Sequence, residues 1–136
     1  MEPQKSPLFA REDIQRDPLS QTIIGAAIEV HRALGPGLLE SAYRDCLEYE
    51  LGEQGLHVRR EVILPLQYKK LTLKAAYKLD LVVENQFVIE LKAVEQILWL
   101  HEAQLLTYLK LSGIKRGMLL NFNVPLLKDG IKRMVY

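Results

Sequence analysis

Apolar residues first recur at helical spacing, as Ile23, Ile24, Ala27, Val30 and Leu34, with Ser20 as the predicted N-cap. Gly35-Pro36-Gly37 breaks that helix, because a proline between glycines suits a tight turn. A second helix is predicted over 38–54, with Leu39, Tyr43, Cys46, Leu47 and Glu50 on one side and Gly55 past its end. The period then switches to two. Val58–Tyr68 carries Val62, Leu64 and Leu66 on one face, and Pro65 marks it as an edge strand. Lys69-Lys70 turns the chain into a strand over 71–83, and Glu84-Asn85-Gln86 into another over 87–94. A third helix is expected over 98–111, ahead of Gly113, then a strand over 117–122 and a weaker one over 131–136. The order of elements is neither a regular βαβ alternation nor an internal repeat. It points to an α+β (mixed α/β) fold with helices against a sheet. Residues 1–19, punctuated by Pro3, Pro7 and Pro18, read as a flexible or loosely packed N-terminal extension to a single domain over 20–136.

Composition narrows the class. The chain has 136 residues, 49% hydrophobic and 26% charged, which suits one packed domain and no second core. Its single cysteine, Cys46, has no partner within the chain and lies on an apolar helix face as a core thiol, pointing to a reducing, cytoplasmic setting. No apolar run approaches the roughly 20 residues of a membrane span, and the polar N-terminus does not read as a signal peptide. A formal net charge of +1 argues against a binder held to nucleic acid by a broadly basic surface. Any nucleic-acid role must rest on a local site.

The stretch from Tyr77 to Lys92 carries the chemistry. Two predicted strands built of Leu, Val, Ile and Phe each hold an acid, Asp80 and Glu90. Lys92 leaves the same face as Glu90, two positions on. A carboxylate among such neighbours is costly unless paired or bound to a cation, and two brought together would gain from a divalent ion between them. Register supplies a check: Asp80 stands opposite Glu90 only across a loop of odd length, such as 84–86, or a bulge. A solvated sheet face with an ordinary Glu–Lys pair remains the alternative on these residues alone. Glu40 follows a predicted helix N-terminus, where the helix dipole alone favours an acid. Gln104 and Tyr108 are one helical turn apart, so both can share a face, and His101 lies one turn before Gln104.

Asp80 followed by Glu90-Leu91-Lys92 resembles the PD-(D/E)XK nuclease superfamily. Gly37-Leu-Leu-Glu40-Ser-Ala-Tyr43 resembles the motif that names its small bacterial GxxExxY family. Gln104-Leu-Leu-Thr-Tyr108 resembles the QxxxY helix motif of its RecB-like branch. The resemblance runs from about Ile23 to Val135 and implies a restriction-endonuclease-like core, a central mixed sheet flanked by helices. It implies a Mg²⁺- (or Mn²⁺-) dependent nuclease acting on DNA. Asp80, Glu90, Glu40 and the Leu91 backbone carbonyl would be metal ligands and Lys92 the catalytic lysine. Gln104 and Tyr108, with Tyr43 and His101 as weaker candidates, would support the site or contact substrate. Hard oxygen ligands suit Mg²⁺ or Mn²⁺ better than zinc.

Several residues carry competing readings. Tyr43 reads first as a core tyrosine and His101 as a packing or capping residue. The basic pairs Arg59-Arg60, Lys69-Lys70, Lys115-Arg116 and Lys132-Arg133 read most simply as solvated turn charges, with phosphate contact as the alternative. Ile97-Leu98-Trp99-Leu100 is core or a docking surface for a homodimer or partner protein. The rival function is a non-catalytic module that keeps the nuclease fold and binds nucleic acid or protein.

Overall fold

A computed structural model describes residues 17–136; of the tail expected over 1–19, residues 1–16 lie outside the described residues. Helix α1 spans Pro18–Leu34 and begins three residues earlier than the sequence pattern indicates. Its N-cap is Asp17, not Ser20: the Asp17 carboxylate accepts the Leu19 N–H at 3.1 Å, and Pro18 fits the first turn, where a missing N–H costs nothing. Ile23, Ala26, Ala27 and Val30 form its buried stripe. Helix α2 spans Glu40–Glu53 and buries Tyr43, Leu47 and Leu51. The apolar side expected to include Leu39 is shifted, since Leu39 caps the helix from outside and is 76% exposed.

Strands β1 (Val58–Tyr68), β2 (Leu71–Val83), β3 (Phe87–Lys92), β4 (Arg116–Asn121) and β5 (Ile131–Val135) form one sheet in sequential order. All neighbours are antiparallel except β3 and β4, which run parallel across the crossover helix α3 (Trp99–Ser112). The α+β class and the edge position of the proline-bearing β1 agree with the sequence. Strand β3 ends two residues earlier than expected, at Lys92.

Helices α1 and α2 cover one face of the sheet, with Leu81, Ile89, Leu91, Met118 and Leu120 beneath them. Helix α3 covers the other, with Leu105 and Leu109 over Leu64, Val82, Val88 and Leu119. Strands β3 and β4 are therefore wrapped on both sides, which explains their unbroken apolar runs. Gly117 permits this closeness: a Cβ there would meet Leu105 and Leu109 at 3.2 Å and the Val88 carbonyl at 3.0 Å.

One irregularity matters most. Residues two apart on a regular strand share a face. Yet Leu79 packs with α3 while Leu81 packs with α1 and α2, and on β1 the same reversal separates Val62 from Val58. The pairing of β1 and β2 keeps one register through Arg60↔Leu81 and Val62↔Leu79 and skips Glu61 and Asp80 between them. Glu61 has φ of 49°, in the left-handed region. Both strands turn over at this level.

After β4 a short 3₁₀ turn, Leu127–Gly130, returns the chain to β5. Gly130 passes so close to β4 that a Cβ would sit 2.1 Å from the Asn121 carbonyl oxygen. Gly130→Ala is expected to lower stability by about 1–3 kcal/mol through forced backbone displacement, checked by urea unfolding; an unchanged midpoint would refute the contact.

Candidate active site

The turnover of β2 at Asp80 aims its carboxylate sideways along the sheet instead of into either helical layer. Leu81↔Ile89, Val82↔Val88 and Val83↔Phe87 define the β2–β3 register, which continued by one step places Asp80 opposite Glu90. The odd loop Glu84-Asn85-Gln86 required by the sequence argument is present, with Glu84 and Asn85 both at positive φ (55° and 54°). Beyond Leu81 the regular backbone pairing stops and side chains replace it. Asp80 Oδ2 accepts the Leu91 N–H at 2.8 Å, and Glu90 Oε1 accepts the Asp80 N–H at 3.1 Å. Each acid thus holds the other's strand.

This exchange concentrates negative charge. Glu90 is 7% exposed on a strand wrapped on both faces. Burial first, then repulsion from Asp80 and Glu40, pushes its carboxyl up to about 8, against opposing help from the Asp80 N–H and Lys92. The Asp80 carboxyl is also raised, chiefly by burial and then by Glu40, while the Leu91 N–H, Arg44 and Lys92 pull the other way. Tyr108 on α3 is raised by burial, Glu90 and Asp80, which puts its hydroxyl within the field of the two acids. Lys92 is half-buried and acts on both carboxylates through its charge, without forming an ion pair among the described residues.

Glu40 reaches this end of the sheet because of the turn before α2. Gly37 takes φ of 105°, a conformation suited to glycine. Tyr43, fully buried and stacked on Phe122 at 4.4 Å, donates its hydroxyl to the Gly35 carbonyl at 2.5 Å and accepts the Leu38 N–H at 3.1 Å. The turn is thereby pinned, and the first helical residue, Glu40, accepts the Ala93 N–H just past β3 at 3.2 Å. Tyr43 accordingly holds the loop that delivers Glu40.

His101 caps α3 through its Nδ1, which accepts the Leu98 N–H at 3.0 Å. Gln104 is exposed one turn before Tyr108, and Tyr108 lies against Tyr77, ring centroids 5.5 Å apart. Leu98, Trp99 and Leu100 are exposed, Trp99 to 77%, so this stretch is not core; Cys46 is half-buried.

Three contributors escaped the sequence reading. Arg44 follows Glu40 by one helical turn, within 3.5 Å of Glu61 and in the field of Asp80; its i,i+4 spacing from Glu40 was the available signal. Asn121, buried and opposite Lys92, accepts the Val94 N–H at 3.0 Å and donates to the Val94 carbonyl at 2.9 Å, which fixes the chain just after the lysine. A lone amide ending an apolar strand was its signal. Tyr77, against Tyr108, had none beyond its place in the stretch.

The donor chemistry is compatible with a hard divalent cation. Asp80, Glu90 and Glu40 are all oxygen donors in mutual charge reach, and each has one oxygen engaged by a backbone N–H. Two carboxyls raised by burial and by repulsion from neighbouring acids are what a dication would relieve. Among the described residues, no three His, Cys, Asp or Glu side chains are gathered in a group arranged to hold a metal. A cavity of about 630 Å³ lies elsewhere, lined by His31, Arg32, Pro125 and Lys128 among others, and includes none of these residues.

A family model described as the PD-(D/E)XK nuclease superfamily matches residues 17–134. No curated protein and no solved structure matched the chain.

Burial of Glu90 has a measurable consequence. Between its ordinary value of 4.5 and about 8, the folded chain keeps a proton that the unfolded chain has lost, so stability falls as pH rises through that window. Glu90→Gln removes the penalty. In EDTA it is expected to be more stable than the parent at pH 8.5 by about 1–3 kcal/mol, the gain fading toward pH 5. A gain independent of pH in thermal unfolding would contradict the assignment.

Proposed function

The chain belongs to the PD-(D/E)XK nuclease superfamily, and from that premise we propose that it is a Mg²⁺- or Mn²⁺-dependent nuclease hydrolysing phosphodiester bonds of DNA. The observation that carries this reading is the reciprocal Asp80–Glu90 pair beside Lys92, at the end of a strand buried on both faces. Buried like charges kept together at an energetic cost are characteristic of functional sites.

In this reading Asp80, Glu90 and Glu40, with the Leu91 carbonyl, would hold the cation. When bound, it lowers the pKa of a coordinated water and neutralises charge on the phosphate. Lys92 donates a hydrogen bond to the attacking water and opposes the charge that develops on phosphate. Asn121 keeps Lys92 in place by fixing Val94, and Tyr43 keeps Glu40 in place by pinning the Gly35–Leu38 turn. Gln104 and Tyr108 face the substrate side, with Tyr108 donating to a phosphate or base. Placement among GxxExxY proteins and near RecB-like exonucleases rests on the Gly37, Glu40, Tyr43, Gln104 and Tyr108 motifs, and a cytoplasmic location goes with it.

The test is cleavage of single- and double-stranded DNA and RNA in Mg²⁺ or Mn²⁺ by the parent, Asp80→Ala and Lys92→Ala. Each substitution is expected to lower the rate by at least about 100-fold, the scale of losing a charge-stabilising group. Equal cleavage by all three would mean a contaminating enzyme. Nucleic-acid binding without cleavage would replace the proposal with a non-catalytic module on the same fold.

A further inference from the structure

The near-neutral net charge conceals a segregation. Residues 62–79 carry four lysines and no acid, so the rest of the chain holds fourteen Lys and Arg against seventeen Asp and Glu. These residues form most of the β1–β2 hairpin, whose far end runs beyond the helices: every residue from Gln67 to Ala75 is exposed.

Three of the four basic pairs now separate by environment. Arg60 is held by Asp45, Glu48 and Glu61, and Arg116 by Asp17. At the hairpin, Lys78 pairs with Glu61 at 3.2 Å. Lys69, Lys70 and Lys74 make no ion pair among the described residues and are all exposed, Lys69 Nζ lying over the Tyr68 ring at 5.4 Å from its centroid. The tip is ordered to present them: Gln67 and Thr72 are opposite each other and hydrogen-bonded through their side chains, and Gln67 Nε2 donates to the Lys69 carbonyl at 2.6 Å.

Resting on the nuclease reading, we propose that this hairpin is a second DNA contact, an arm that grips the phosphate backbone of B-form duplex away from the scissile bond. A two-stranded ribbon fits the major groove of B-form DNA, whereas the deep, narrow groove of A-form RNA does not admit it. Strand β2 carries Asp80 near one end and the arm lysines at the other. Ten residues from Lys70 to Asp80, shortened by the bulge opposite Pro65, amount to roughly 25–30 Å at about 3.3 Å per residue. That span corresponds to about eight base pairs at ~3.4 Å each. The continuous strand therefore sets the distance between the arm and the chemistry. One face of the arm bears Leu66, Tyr68, Leu71 and Leu73, and a second copy of the chain is the competing occupant there.

The experiment measures anisotropy of a fluorescein-labelled 24-base-pair duplex in Ca²⁺, and cleavage of the same duplex in Mg²⁺ and Mn²⁺. It compares the parent with Lys69→Glu/Lys70→Glu/Lys74→Glu and, for oligomeric state, with Leu71→Asn/Leu73→Asn. The lysine variant is expected to bind at least about tenfold more weakly near 100 mM salt, with a log–log salt slope shallower by about 2–3, as loss of three phosphate contacts requires. Its defect should shrink on a hairpin duplex of about five base pairs, roughly 17 Å at ~3.4 Å each and too short to join the chemistry to the arm. If that pattern appears without cleavage by the parent, the arm stands and the nuclease reading falls. If the parent cleaves and the lysine variant binds equally well, the arm falls and the nuclease reading stands. No duplex binding by the parent, preference for single strands or RNA, or unaltered binding with a dimer that Leu71→Asn/Leu73→Asn dissociates would each overturn the proposal.

Discussion

The exchange between Asp80 and Glu90 is the constraint around which the rest of this molecule is arranged. Each carboxylate substitutes for backbone pairing by accepting an N–H from the opposite strand, Glu90 from Asp80 and Asp80 from Leu91. The exchange requires β2 to turn over, since a regular strand would send the Asp80 side chain into one of the helical layers. It requires β1 to turn over with it, at the positive φ of Glu61. It also requires β3 to stay regular, so that Glu90 and Lys92 emerge on one face while Ile89 and Leu91 anchor the other. The central sheet is thus bent at one level to gather charge at its end.

Gathering that charge works against stability, and the surrounding structure offsets the cost. Backbone N–H groups from Asp80, Leu91 and Ala93 solvate three carboxylates in place of water. Lys92 and Arg44 supply partial neutralisation from two different elements, a strand end and a helix turn. Helix α2 contributes its N-terminus, where Glu40 is favoured. The turn that positions it depends on a buried tyrosine stacked on Phe122, so the acidic centre is fastened to the α1/α2 core. At the opposite end of β2 lie lysines with no ion pair among the described residues, and one strand spans both poles of a chain whose average charge is close to zero.

Much of the fold was legible because its signals are local. The proline in β1, the glycines around Pro36, the αL glycine after α3 and the switch from helical to alternating periodicity all act within a few residues. The first helix began earlier than Ser20 suggested because Asp17 and Pro18 together make a better start, with a carboxylate cap and a ring that needs no N–H. Leu39 misled for a related reason: it stands just outside the helix, where a helical face no longer decides burial. Of the site, Asp80, Glu90 and Lys92 stood out because charge inside an apolar run is costly and so informative. Arg44 and Asn121 carried only weak signals, a spacing of four from Glu40 and a lone amide ending an apolar strand, and Tyr77 carried none beyond its place in the stretch.

The order of elements, the odd loop that sets Asp80 against Glu90 and the identity of the acids were determined by the sequence itself, because periodicity, turn length and the cost of a buried charge are properties of short segments. Which carboxylate oxygen meets which N–H, that both strands invert at Glu61 and Asp80, that Tyr43 serves the turn and His101 the helix cap, and that Lys69 and Lys70 form no ion pair among the described residues while Arg60 and Arg116 do, were decided only in three dimensions. These depend on partners separated by tens of residues, such as Ala93 for Glu40 and Asp17 for Arg116, and no local pattern encodes who is left without one.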